Sequence, residues 1–366
     1  VAQVDGSFAE RRRIFSSVLS AGLSAVVLAG CTSIDADGQS PTSAPTPVSA
    51  QRMVSLLENL LPEGKFSSQQ GKGLGDKSGP PPSAQLVFDR GGRAAKVTVI
   101  LNKYPVPVPE QVMRCPDTAY HPYSQCTETQ LPGGAVLVRD QSPKNEDDPS
   151  GARLFSTLLA YKDGGHVYVS EVGDPGDKTA AGDTPLPLTL KQISDIATSS
   201  AWKPVLSSIP APPSGARTES APRMTGEQIS RTIEHLLPAD LHASRRGGSE
   251  GFGHIVVDDS RGKSLVTSNV QRWKPDDSGM TELFKKAATL PDGTRIRINK
   301  RAAPRGGKGA VEWSVDALRK NGLRVVISAV NARAYGLPPD RSEPALDIRQ
   351  LKQMALDPVW QRSSGS

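Results

Sequence analysis

Thiols and imidazoles have the most chemical reach in this sequence, which holds three cysteines and five histidines. Cys31 closes the run Val27-Leu28-Ala29-Gly30-Cys31, behind three arginines, Arg11 to Arg13, and an apolar stretch from Phe15 to Ala29. A charged lead, a short apolar stretch and small residues before a cut make a secretory signal peptide, read here over residues 1–30. An apolar stretch of about 15 residues falls short of the roughly 20 that cross a bilayer. Arg12-Arg13-Ile14-Phe15 also fits a twin-arginine export core, so both export routes stay open. Cys115 and Cys126 are the remaining pair. After export they lie where disulfides persist, and a bridge closing so short a loop is worth about 2–3 kcal/mol.

The other candidates for chemistry are weak. His121, His166, His235, His242 and His254 contain no HExxH arrangement and read as structural or surface groups. Cys115, His121 and Cys126 are ligand types without a nearby fourth, so no metal is expected. Gly71–Ser78 invites a P-loop reading, but Asp76 stands where the motif needs glycine, and the stretch reads as an insertion that the second half lacks. Ser200–Lys203 and Ser260–Lys263 have Ser-x-x-Lys spacing without the companion motifs of a serine acylase. Glu146-Asp147-Asp148 lacks the spacing of a calcium loop. No catalytic residue and no cofactor is expected.

The elements that would position these residues occur twice. Met53, Leu56, Leu57, Leu60 and Leu61 fall at helical spacing and stop at Pro62; Ile229, Ile233, Leu236 and Leu237 repeat the pattern and stop at Pro238. Thr189 with Gln192, Thr225 with Gln228 and Asp347 with Gln350 are capping boxes. The first and last of these open segments that close on Trp202 and Trp360, at a shared offset of 158 residues. Between the helices, Leu86–Asp89 matches Ile255–Asp258, Leu131-Pro132-Gly133-Gly134 matches Leu290-Pro291-Asp292-Gly293, and Asp163-Gly164 matches Asn321-Gly322 as hairpin turns. Each half therefore reads as a helix, five or six antiparallel strands and a helix. The fold class is α+β, in two tandem copies. The boundaries follow: tether 31–50, repeat one 51–205, a Pro/Ser/Ala-rich linker 206–222, and repeat two 223–362. At an offset of 159, Cys115 and Cys126 face Lys274 and Lys285. Both thiols are absent together from the second copy, as a bridged pair requires.

Charge separates the copies. Residues 51–205 carry 16 Lys+Arg against 17 Asp+Glu, whereas residues 223–366 carry 24 against 16. Part of the excess lies on Arg295-Ile296-Arg297-Ile298-Asn299-Lys300-Arg301. Alternation on a strand puts Arg295, Arg297 and Arg301 on one face and turns Ile296 and Ile298 to the core. The matching positions in repeat one, Val136, Val138 and Ser142, are not basic. Such a stripe suits anionic lipid headgroups or cell-wall polyanions. Nucleic acid is not an expected partner of an exported chain.

The run Val27–Cys31 resembles a bacterial lipobox. That resemblance implies a diacylglyceryl group on the Cys31 thiol, cleavage before it, and a lipid-anchored protein on the outer face of the cell membrane. With the Arg-rich signal, the Ala/Gly/Pro/Arg-rich composition and the Cys-Pro-Asp…Cys-Thr…Leu-Pro-Gly-Gly run, the chain resembles secreted lipoproteins of high-GC actinobacteria of the Streptomyces kind. Its layout is similar in outline to small α+β lipoprotein modules of mycobacteria. These resemblances bring no activity with them. The expectation is a non-catalytic binding or interaction protein of the cell envelope; a carrier of an apolar ligand and an enzyme on envelope polymers stay open as alternatives.

Overall fold

The computed structural model describes residues 48–75, 81–109, 112–146, 148–173, 185–212, 224–274, 277–304 and 306–362. The stretch 1–30 read as a signal peptide, Cys31 and most of the stretch 31–50 read as a tether lie outside the described residues. Repeat one runs α1 (Ala50–Leu60), β1 (Lys65–Lys72), β2 (Ser83–Asp89), β3 (Ala94–Lys103), β4 (Gln125–Gln130), β5 (Val136–Asn145), β6 (Asp148–Ala160), β7 (Gly165–Gly173), α2 (Leu190–Thr198) and α3 (Lys203–Ser208). Repeat two runs α4 (Gly226–His235), β8 (His242–Ser249), β9 (Phe252–Asp258), β10 (Lys263–Arg272), α5 (Ser278–Leu283), β11 (Ala288–Thr289), β12 (Arg295–Ala302), β13 (Val311–Leu318), β14 (Leu323–Val330), α6 (Ile348–Leu356) and α7 (Val359–Arg362).

The strands form two separate antiparallel sheets of one topology, β1-β2-β3-β7-β6-β5-β4 and β8-β9-β10-β14-β13-β12-β11. Each has seven strands rather than five or six. Two of the unforeseen strands are the edges β1 and β8. Their sequences, Lys-Phe-Ser-Ser-Gln-Gln-Gly-Lys and His-Ala-Ser-Arg-Arg-Gly-Gly-Ser, are polar and mostly exposed. An edge strand is held by backbone pairing on one side and needs no apolar alternation, so periodicity does not reveal it. Gly71 and Lys72 belong to β1, and the insertion in repeat one begins only after them.

Helix ends and their tryptophans follow the sequence closely. All three capping boxes form, with each side chain accepting an N3 amide and each N3 glutamine accepting the cap amide in return. The indoles of Trp202 and Trp360 are fully buried and donate to the carbonyls of Ile196 and Met354, at 2.7 Å in both copies. Each of these carbonyls also accepts its helix C-cap amide at 3.3 Å, so the indole adds a second bond at the helix end. Helices α1 and α2 cover one face of sheet one, and Met53, Leu57, Ile193 and Trp202 meet Leu86, Phe88, Val97, Val99 and Val167 there. In repeat two, α4 and α6 do the same over Ile255, Val257, Val315, Val325 and Ile327.

Several boundaries and turns differ from the sequence reading. Val48 is buried in the first core, and Leu206 and Ile209 join it from α3 and its C-cap, so the folded unit extends into both the tether and the linker as read. The hairpins are not two-residue turns. Tyr161–Gly164 and Arg319–Gly322 each close by a backbone bond across four residues, and only the glycine takes a positive φ, +89° and +79°. Asp163 and Asn321 instead accept the amide N–H two residues on. Ile296 is buried but Ile298 is 52% exposed. Strand β11 pairs with β12 only at Arg295 and Ile296, and α6 packs on β13 and β14, which leaves Ile298 toward the open end of the edge.

Repeat two is also covered on its other face. The crossover from β3 to the far-edge strand β4 spans residues 104–124, longer than its counterpart 273–287, which holds α5. The extra residues shift the alignment: Tyr104 N–H bonds Gly164 O as Trp273 N–H bonds Gly322 O, so Lys274 corresponds to Pro105 rather than to Cys115. Cys115 and Cys126 are joined by a disulfide (S–S 2.06 Å) at the base of this crossover. Its tip docks on sheet two. Ala119 is buried there, its carbonyl accepts the Tyr335 amide at 2.9 Å, and the Tyr120 ring stacks on Tyr335 (5.2 Å) and leans on Phe252 (5.4 Å). Asp117 lies 2.7 Å from the buried His254 Nε2, although the ring N–H is not aligned for a hydrogen bond. Burial raises the Asp117 carboxyl, but His254 and the Ala119 amide outweigh it and hold the group below the usual range.

Candidate functional site

The face of sheet two turned away from α4 and α6 carries the predicted arginines. Cross-strand register orders it into rows. One row reads Arg301, Glu312, Val330, Leu265, Val256; the next reads Asn299, Ser314, Ser328, Thr267, His254; a third reads Arg297, Asp316, Val326, Asn269, Phe252; the last reads Arg295, Leu318, Arg324, Gln271. The face is thus polar through its middle and closed at one end by Tyr335 and the crossover of repeat one.

Alternation does put Arg295, Arg297 and Arg301 on this one face, but their surroundings divide them. Arg301 is committed to Glu312, with Nε donating to Oε2 at 3.0 Å and Nη2 in ion-pair contact with the same oxygen at 2.9 Å. The other Glu312 oxygen accepts the Tyr335 hydroxyl at 3.1 Å. Arg301 therefore balances a buried carboxylate, which would otherwise be costly in that place. Arg295 and Arg297 sit over the ring of Phe284, at 5.5 and 6.0 Å, and neither makes an ion pair among the described residues. Phe284 follows α5 and is nearly fully buried, with Arg324 at 5.9 Å as a third cation around the ring. Arg324 is itself held by Asp316 through two bonds of 2.9 and 2.8 Å. The free positive charge of the stripe is Arg295 and Arg297.

Sequence reasoning missed Arg324, Asp316 and Glu312, which only the register of β12, β13 and β14 brings beside the stripe, and Phe284, which the segment after α5 places there. It also missed Asp259, where Arg341 bonds both carboxylate oxygens at 2.8 and 3.2 Å and Arg261 adds further bonds. Burial alone would raise that carboxyl; the two guanidiniums hold it at about 2. In repeat one the missed group is Glu171, which is fully buried on the helix-facing side of β7. Burial pushes it up to about 8, against a partial lowering by the Leu188 amide at 3.0 Å and by Arg93. Among the described residues, no group of three or more His, Cys, Asp or Glu is placed to hold a metal, and no helix is long and apolar enough to cross a membrane.

The fold and face define a duplicated α+β protein, two helix-backed antiparallel sheets joined by a disulfide-based clasp, with the unpaired basic charge of its stripe on the second. No protein-family model and no curated protein matches the chain. Among solved structures, the crystal structure of MucB in complex with MucA(peri) aligns at 8% identity over 84% of this chain and 97% of that chain, with a TM-score of 0.18. The complex structure of Pseudomonas aeruginosa MucA/MucB aligns at 9% identity over 79% and 86%, also at 0.18. Scores this low leave the likeness without weight for either fold or partner.

Proposed function

We propose that this chain is a lipid-anchored, extracytoplasmic, non-catalytic interaction protein whose second repeat contacts anionic partners, either lipid headgroups or cell-wall polyanions. The observation that carries the contact surface is the pair Arg295 and Arg297, held over Phe284 without a carboxylate partner, while repeat one has Val136 and Val138 at the matching positions. A cation seated on a ring is fixed in place yet keeps its charge available to a partner. The lipobox-like run ending at Cys31 supports the anchor. Residues 31–47 would then link that anchor to the repeats.

Two measurements test the reading. Cys31→Ala should move the protein from the membrane fraction to the soluble one and abolish incorporation of labelled fatty acid; retention of the label would end the anchor. Charge reversal at Arg295 and Arg297 should weaken binding to anionic vesicles by about tenfold or more, since each reversal near such a surface removes on the order of 1 kcal/mol of attraction and adds repulsion. Binding that is indifferent to the reversal would remove this face from consideration. Arg301→Gln should act differently: it strands Glu312 and lowers stability more than it lowers binding.

A further inference from the structure

At the β13–β14 turn, repeat two opens a recess of about 200 Å³ lined by Lys274, Gly293, Arg295, Leu318, Arg319, Lys320 and Gly322. Four of these side chains are cationic and none is acidic. Arg319 is 7% exposed. Its Nη2 donates to the carbonyls of Ala355 and Asp357 at the end of α6, at 3.3 and 3.1 Å, which fixes the plane of the guanidinium. Its Nη1 is buried without a hydrogen-bond partner among the described residues. A buried donor left open in this way costs free energy unless something fills the place. Asp292 and Asp357 act on Arg319 through space without bonding it: Asp292 accepts the Thr294 amide and hydroxyl at 2.8 and 2.9 Å, and Asp357 accepts the Val359 amide at 2.8 Å.

Repeat one supplies an internal control. Its equivalent turn keeps the same frame. Gly164 and Gly322 close the two hairpins, and Lys162 lies against Gly134 as Lys320 lies against Gly293, where a β-carbon would collide with either lysine. The frame therefore does not require further charge. Yet where repeat two has Lys274, Arg295 and Arg319, repeat one has Pro105, Val136 and Tyr161. Three neutral positions in one copy are three cations in the other, all of them lining one recess.

We infer that this recess binds a phosphoryl group, with the Arg319 guanidinium as the oriented donor and Lys274, Arg295 and Lys320 as its charge-matching wall. A planar guanidinium suits the paired oxygens of phosphate, and flexible lysines close around it. The inference deepens the proposed contact surface, on which it rests, by naming the chemical group that the surface recognises. The phosphoryl group belongs to a lipid headgroup or to a soluble phosphate, and the experiment separates these sources.

The full chain is titrated with inorganic phosphate by calorimetry, and separately with phosphatidylglycerol vesicles with and without phosphate as competitor. Lys274→Gln with Lys320→Gln removes recess charge while leaving the α6 cap and the Phe284 face intact; Arg297→Gln alters the face and leaves the recess. The expected result is saturable phosphate binding that falls about tenfold or more in the first variant and holds in the second, in line with the loss of charge-assisted bonds. Phosphate that also displaces vesicles identifies the headgroup as the source; phosphate that binds without displacing them identifies a soluble one. Failure to saturate up to about 10 mM phosphate, a range that covers weak single-group sites, overturns the recess, as does equal binding by the first variant. Vesicle binding that depends on Arg297 but not on Lys274 and Lys320 leaves the contact surface standing without it.

Discussion

Glu171→Gln is expected to stabilise repeat one by about 3 kcal/mol at pH 7 and by almost nothing near pH 4.5, as scaled from the shift in the carboxyl's proton affinity. Glu171 is fully buried beside Val97 and Phe155, and one oxygen accepts the Leu188 amide while the other lacks a partner among the described residues. Burial lifts its pKa from an ordinary 4.5 to about 8. Between those values the folded chain holds a proton that the unfolded chain has released. Stability therefore declines as pH rises through that window, by about 1.4 kcal/mol per unit. Glutamine keeps the acceptor for Leu188 and has no proton to retain. Denaturant titrations of both proteins from pH 4.5 to pH 8 check this: the gap should widen steadily with pH. Parallel profiles would mean that Glu171 ionises freely in the fold.

Replacing Cys115 and Cys126 by serine is expected to loosen the contact between the repeats. The bridge closes a loop with a sequence separation of 11, and its removal returns about 3 kcal/mol of chain entropy to the open crossover. The amide of Tyr335 reports the result directly, because its partner is the Ala119 carbonyl on the crossover tip. Its hydrogen exchange should accelerate by about a hundredfold, and exchange in the helix-backed core around Val325 and Ile327 should change far less. Tyr120→Ala should reproduce part of the effect, since the ring pair with Tyr335 is worth about 0.5–1.5 kcal/mol beyond its burial. Unchanged protection of Tyr335 in the serine variant would show that the tip binds sheet two without help from the bridge.

These two cases mark how far the sequence could be read. Capping boxes, helix faces and the paired tryptophans were legible because each is written within about a dozen residues, and the duplication displayed each of them twice. The absence of both thiols from the second copy pointed to one bridge. The polar edges β1 and β8 were not legible, because their residues are mostly polar and exposed and show no apolar alternation. Ile298 was misread because alternation says which side of a strand a residue faces and not whether anything covers that side.

By itself the sequence determined an α+β unit made twice, the caps and apolar faces that build it, a bridged crossover in the first copy and surplus positive charge in the second. These follow from local hydrogen bonding, from periodicity and from comparison of the copies. Tertiary structure decided that the crossover of one repeat seals the outer face of the other, that Arg301 is spent on Glu312 while Arg295 and Arg297 remain free, and that Glu171 is shut away from water. Each of these depends on which distant segments meet, and the desolvation and pairing that fix a charge arise only where they do.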